Sequence, residues 1–323
     1  MPVRALTNAV LPWSICPAVP TMMFFISLVP IVLPAQTPTF RAGVTLVKVD
    51  VAVTDPSGRM IPDLTRNDFE VFDEQAPQPI AYFDHESEPL DLLLLLDVSG
   101  SMHRSLMELA STARASLRPL GVRDRVAVML FARQSAVRQP FTADFGLVES
   151  EIAGAVKAQD LGSGTAINSA ILSAADYIRR QLATARRAVL IATDNLSLNY
   201  RVPDEEVIRA LYAADATLDA ILIGKQRRPD TPRTGVTLNP DFTPSDVFKL
   251  ATLTGGEAVE SRQAAQSFQS MIERIRSRYR LQYEAPAAPS GAFRRIRVEL
   301  APAAARRHQR AILRARAGYY AIE

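Results

Sequence analysis

The sequence predicts an α/β fold, a doubly wound and mainly parallel sheet between helices, with a smaller β-rich module built from the two flanks of the chain. Three observations carry this reading. Continuous apolar runs occur at Leu92 to Leu96, Val126 to Phe131, Ala188 to Ala192 and Ala220 to Ile223, the pattern of strands covered on both faces. Helical periodicity separates these runs, and strands alternating with helices imply parallel βαβ units. At residues 44–83, and again after Tyr279, apolar and polar residues alternate with a period of two, as in half-buried antiparallel strands.

In chain order, residues 1–35 form a leader whose apolar stretch begins at Met22 and ends in Leu33-Pro34-Ala35. The stretch contains Pro30 and falls short of the roughly 20 apolar residues of a spanning helix, so it reads as an export signal cleaved after Ala35. The expected location is secreted, periplasmic or in the cell envelope, with membrane association only through an uncleaved leader. Cys16 is the one cysteine, so no disulfide or cysteine metal site forms within the chain.

Val47, Val49, Val51 and Val53 mark one face of a strand, and Asp55-Pro56-Ser57-Gly58 a turn after it. Phe69 to Phe72 and Ile80 to Phe83 read as two strands of a hairpin joined through Asp73 to Pro79. Helices are expected at Ser105 to Leu117, Leu147 to Val156, Ile167 to Leu182, Asp204 to Ala213 and Ala264 to Arg276. In the third of these, Ile167, Ile171, Ala174, Ala175 and Ile178 form one apolar face. Gly255-Gly256 ends a further helical stretch after Thr254. Tyr279 to Tyr283 and Phe293 to Leu300 are expected to pair with residues 44–83, since neither flank alone has enough strands to bury its apolar face. Tyr319 and Tyr320 read as packing residues.

Hydrophobic residues make up 48% of the 323 and charged residues 22%, which excludes a disordered chain. The net charge is +3, but residues 287–323 hold eight arginines against Glu299 and Glu323. No aromatic interleaving accompanies them, so they read as a solvated strand face and no nucleic-acid partner is expected.

The chemistry concentrates after the leucine-rich strand, at Asp97-Val98-Ser99-Gly100-Ser101. In an open α/β sheet, ligands sit at the carboxyl ends of the strands. One carboxylate and two hydroxyls on a tight loop suit a hard divalent cation, magnesium or manganese, which takes oxygen ligands. Neutral hydroxyl donors leave such an ion short of negative charge, so an outside carboxylate is attracted to it.

Asp97, Ser99 and Ser101, after an apolar strand and before a helix, resemble the metal-ion-dependent adhesion site (MIDAS) of von Willebrand factor A (VWA) domains. The resemblance extends to Thr165, in Gly162-Ser163-Gly164-Thr165, and to Asp194 at the end of a strand. It implies a three-layer, Rossmann-like domain over residues 88–277, with a sandwich-like accessory module from residues 36–87 and 278–323. It further implies that Ser99, Ser101 and Thr165 bind the ion directly, that Asp97 and Asp194 act through waters, and that a partner's Glu or Asp completes the coordination. One departure is Asn195, where the family usually has glycine; asparagine is the non-glycine residue best suited to a left-handed backbone. The flanks, such as VDVAVTDPSGRMIPDLTRNDFEVFDE and Arg316-Ala317-Gly318-Tyr319-Tyr320-Ala321, resemble exported VWA-related proteins common in acidobacteria.

Other readings of the loop are weaker. Helix capping explains Asp97 and the serines but not Thr165 and Asp194. A serine hydrolase lacks its G-x-S-x-G elbow, a P-loop lacks its lysine and a zinc enzyme its H-E-x-x-H. The expected function is metal-dependent protein binding without catalysis; the alternative is a cell-envelope scaffold with a vestigial metal site.

Overall fold

The computed structural model describes residues 45–195, 202–224 and 246–322. The leader lies outside these residues. Residues 43–323 belong to one compact unit.

In the first flank, β1 (Leu46–Thr54) buries its four alternating valines. A short 3-10 turn at Arg66–Asp68 follows, held by a capping box in which the Thr65 backbone and hydroxyl both donate to Asp68 at 2.8 Å. Then come β2 (Phe69–Asp73), β3 (Ala76–Gln78) and β4 (Tyr82–His85). The expected hairpin between Phe69 to Phe72 and Ile80 to Phe83 does not form. Instead β2 turns tightly into β3, through Glu74 at φ +56°, and β4 crosses to another sheet. The turn residues between the two apolar segments hide a third, largely exposed strand that local pattern does not reveal.

The central region runs β5 (Leu90–Asp97), α1 (His103–Ser116), β6 (Arg125–Phe131), β7 (Ser135–Thr142), α2 (Phe145–Ala155), α3 (Ile167–Arg179), β8 (Arg186–Thr193), α4 (Asp204–Ala213), β9 (Ala216–Ile223), α5 (Val247–Thr254), β10 (Ala258–Ser261) and α6 (Ala264–Arg276). Its six strands are ordered β10-β9-β8-β5-β6-β7, all parallel except the edge strand β7. The leucine run explains the two helical layers. Leu92, Leu94 and Leu96 pack among side chains of α1, α2 and α6, and Leu93 and Leu95 among those of α3, α4 and α5. Since successive strand residues point to opposite faces, a helix on each side is the arrangement that buries all five.

The second flank supplies β11 (Tyr279–Glu284), β12 (Phe293–Leu300), α7 (Pro302–Arg307), β13 (Ile312–Ala315) and β14 (Gly318–Tyr320). It pairs with the first as the alternation requires, Val49 opposite Leu281 and Val71 opposite Val298. Two four-stranded sheets result, β13-β1-β11-β4 and β14-β12-β2-β3. Val49, Val51, Val71, Leu281 and Val298 share one core between them. Tyr319 packs in this core, and its hydroxyl and that of Tyr283 both donate to the buried Asp73 carboxylate at 2.9 Å.

The solvated-face reading of the tail arginines holds for Arg295, Arg297, Arg306, Arg307 and Arg310, which are exposed, and needs correcting for Arg294 and Arg316. Arg294 donates to Asp73 at 2.6 Å, Arg307 pairs with Asp68, and Arg316 is buried and pairs with Asp215 at 2.9 Å. Just before the tail, Arg278 and Arg280 are only 2% exposed. Arg278 reaches Thr217 and Asp219, at the start of β9, and Arg280 grips Asp50 of β1 with two hydrogen bonds. Arg186, at the start of β8, donates to the Arg276 and Arg278 carbonyls. The β sandwich is therefore seated at the amino ends of the parallel strands, and the opposite ends carry the loops of interest.

Gly255 and Gly256 hold this junction. Gly255 caps α5 at φ +84°, and a Cβ on Gly256 would lie 1.9 Å from the Leu218 carbonyl oxygen. Relief requires the backbone of β9 to move, so Gly256→Ala is expected to cost at least about 2 kcal/mol, read as a lower denaturant midpoint.

Candidate metal centre

β5 is the strand from which the sheet grows in both directions: β6 lies on one side and β8, later in the chain, on the other. That is a topological switch point, where an open α/β sheet leaves a crevice at the strand ends. Asp97 ends β5 and Asp194 directly follows β8, so the crevice has an acid on each wall.

Asp97 has no solvent exposure. Its Oδ1 accepts the Ser99 backbone N–H at 2.9 Å and its Oδ2 the Thr193 hydroxyl at 2.7 Å. Burial pushes the Asp97 carboxyl up to about 6; the hydrogen bonds of Thr193 and Ser99 pull it down, and the neighbouring Asp194 charge adds to the rise. Asp194 is thus close enough to be felt electrostatically. Among the described residues no arginine, lysine or histidine forms an ion pair with Asp97.

The loop after β5 turns into a short 3-10 segment at Gly100–Met102, where the Met102 N–H donates to the Ser99 carbonyl at 2.9 Å. This brings the Ser99 and Ser101 hydroxyls to 3.2 Å from each other, so both can face one ion. The third loop, before α3, is tied to the same end of the sheet: the Ala166 N–H donates to the Ala132 carbonyl, and the Val98 N–H to Phe131, both at 2.9 Å. Ser99 and Gly100 share a cleft with Ser163 and Gly164, the two residues that precede Thr165. Thr165 is itself 7% exposed.

All five residues singled out in the sequence thus lie at one end of the sheet, Asp97 as the last residue of β5 and the others on the loops beyond the strands. Thr193 was missed, although it fixes Asp97; the available signal was a hydroxyl at the last position of a buried strand, next to Asp194. His103 starts α1 in an exposed position, as a helix-start histidine should.

Asn195 does adopt the left-handed conformation, at φ +57°. Its N–H donates to the Thr193 hydroxyl at 3.1 Å, while its side-chain Oδ1 is buried without a hydrogen bond. Asn195→Gly removes both the unsatisfied oxygen and the left-handed cost, against a smaller entropic loss. A net stabilisation of about 0.5–1 kcal/mol is expected in chemical denaturation.

The donor set fits a hard divalent cation: three hydroxyls and two carboxylates, with no basic group among the described residues paired with the buried Asp97. Clusters of three or more His, Cys, Asp or Glu side chains able to hold a metal are absent among the described residues. That disfavours a thiolate or imidazole site and leaves a hydroxyl-rich one untouched.

The family model for the von Willebrand factor type A domain matches residues 92–196, from the leucine strand through Asp194. No curated protein matches the chain. Among solved structures, it resembles an aerotolerance-related membrane protein from Bacteroides fragilis (17% identity, TM-score 0.44, covering 58% of this chain and 98% of that one). It is also similar to a von Willebrand factor type A protein from Catenulispora acidiphila (14%, 0.45, 88% and 75%). A third is proximal thread matrix protein 1 of the mussel byssus with a zinc-occupied MIDAS motif (14%, 0.44, 59% and 49%).

Proposed function

We propose that this von Willebrand factor type A domain protein binds a protein partner through a divalent cation, magnesium or manganese, held at the carboxyl ends of β5 and β8. Ser99, Ser101 and Thr165 would ligate the ion, Asp97 and Asp194 would hold its waters, and a partner's glutamate or aspartate would take the open position. The leader supports an exported setting, secreted or in the cell envelope.

The observation that carries the proposal is the buried Asp97 carboxylate, raised by burial and by a second acid, with hydroxyl and backbone donors but no basic counter-charge among the described residues. An unpaired buried charge is costly, and a bound cation supplies the missing compensation. The neighbours of the serines support binding as the reading. Ser99 faces Ser101, and among the described residues no histidine hydrogen-bonds to either, whereas a nucleophilic serine is activated by a hydrogen-bonded base.

Water-proton relaxation of the Mn²⁺-loaded chain provides the test. A short peptide with a single glutamate is expected to displace a metal-bound water and lower the relaxation enhancement, and its glutamine counterpart to leave it unchanged. Equal behaviour of the two peptides overturns the proposal.

A further inference from the structure

The cation loops border a cleft of about 440 Å³ between the start of α1, the end of α2 and the segment 158–164. Its walls include the apolar Val98, Leu106, Ala155, Val156 and Leu161 beside the polar His103 and Gln159, and no Asp, Glu, Lys or Arg side chain lines it. Ser99 and Gly100 stand on one side of the mouth, and Ser163 and Gly164 on the other. Ser99 is a proposed ligand, and Gly164 immediately precedes another, Thr165. A Cβ built on Gly100 or Gly164 meets nothing within 4 Å, so the mouth beside the cation loops is open.

We infer that the partner presents an acidic residue together with an adjacent apolar side chain, leucine- to phenylalanine-sized, which enters this cleft while the carboxylate meets the cation. This rests on the cation-site reading above and adds the identity of the second anchor. The division of labour follows from the linings. A carboxylate entering the cleft would lose hydration where no lysine or arginine meets it, whereas an apolar side chain exchanges water for the aliphatic part of the wall. The carboxylate has the reverse preference, for the hydroxyl-rich loop that is short of negative charge. With Ser99 common to both surfaces, the two side chains can come from one face of an extended strand of the partner, two residues and about 6–7 Å apart.

The test uses the full chain loaded with Mn²⁺ and fluorescent glycine-based peptides carrying one glutamate. In one set leucine or phenylalanine lies one or two residues from the glutamate; the parent peptide has glycine throughout. The best apolar peptide is expected to bind about tenfold tighter or more, the scale set by burying one such side chain. Ala158→Trp and, separately, Val156→Phe fill the cleft from its own wall. Each should abolish the preference while leaving Mn²⁺ affinity and binding of the parent peptide unchanged. Mn²⁺ and parent-peptide binding with no apolar preference overturns this inference alone, as does a preference surviving both substitutions. Failure of the wild-type chain to bind Mn²⁺, or the parent peptide in its presence, overturns the cation-site reading and this inference with it.

Discussion

Replacing Arg280 by alanine will destabilise the protein by about 3–5 kcal/mol, because it leaves a buried carboxylate without its partner. Arg280 is 2% exposed and bonds both oxygens of Asp50, at 2.7 and 3.1 Å. Burial pushes the Asp50 carboxyl up, but the charges of Arg280, Arg186 and Arg278 and the Arg280 hydrogen bonds outweigh it and hold it below its ordinary value. The contribution of Asp50 is therefore present above the unfolded carboxylate range near pH 4 and is lost as pH falls through the lower folded value. Arg59→Ala is the control. Its side chain is 83% exposed and pairs with Asp55 on the surface, so its removal is worth under about 1 kcal/mol. Urea denaturation at neutral pH separates the two; similar midpoints would show that the buried arginine layer does not hold the sandwich to the sheet.

The second large effect has the opposite sign. In chelator, Asp97→Asn is expected to stabilise the protein at pH 8 by up to about 3 kcal/mol, the scale of a carboxyl raised from 3.8 to about 6 at 1.36 kcal/mol per pH unit. The folded state binds the proton more tightly than the unfolded chain does, so the wild type loses stability as pH rises from about 4 to about 6, and the variant does not share that loss. Asparagine retains an acceptor for the Ser99 N–H and offers the Thr193 hydroxyl a donor in place of an acceptor. With saturating Mg²⁺ the order should reverse, since only the wild type gains stability from the ion. A residue that weakens the empty fold and strengthens the loaded one is the signature of a binding site retained at the expense of stability. Parallel stability curves for the two proteins with and without Mg²⁺ would remove that signature.

Much of this architecture is legible in local pattern, for identifiable reasons. Strands covered on both faces have no polar alternation, so Leu92 to Leu96 and Ala188 to Ala192 locate β5 and β8, and with them the loops that begin at Asp97 and Asp194. The valine alternation in β1 likewise gives a one-sided strand. Partner choice is not local, and there the reading failed: nothing between Asp73 and Pro79 says that β2 turns back on β3 while β4 joins β11. β7 escaped notice because it is an edge strand with a register shift and a proline, Pro140, features tolerated only at an edge. The solvated-face reading missed Arg294 and Arg316 because sequence shows their charge but not Asp73 and Asp215, the carboxylates that meet them. Arg280 and Asp50 are separated by 230 positions in the chain and paired in space. At the metal centre, the serine loop was visible as a motif, while the support Thr193 gives to Asp97 needed the register of β5 against β8.

The most direct measurement is Mn²⁺ binding by electron paramagnetic resonance to the full chain, its Asp97→Asn variant and a Ser99→Ala/Ser101→Ala double variant. The account predicts one saturable site in the wild type, displaced by Mg²⁺, and at least about a tenfold loss of affinity in both variants, as loss of a ligand or of its positioning partner entails. Saturable binding of equal strength in all three proteins would place the ion elsewhere. No binding to the wild type would leave a scaffold whose serine loop only caps a helix.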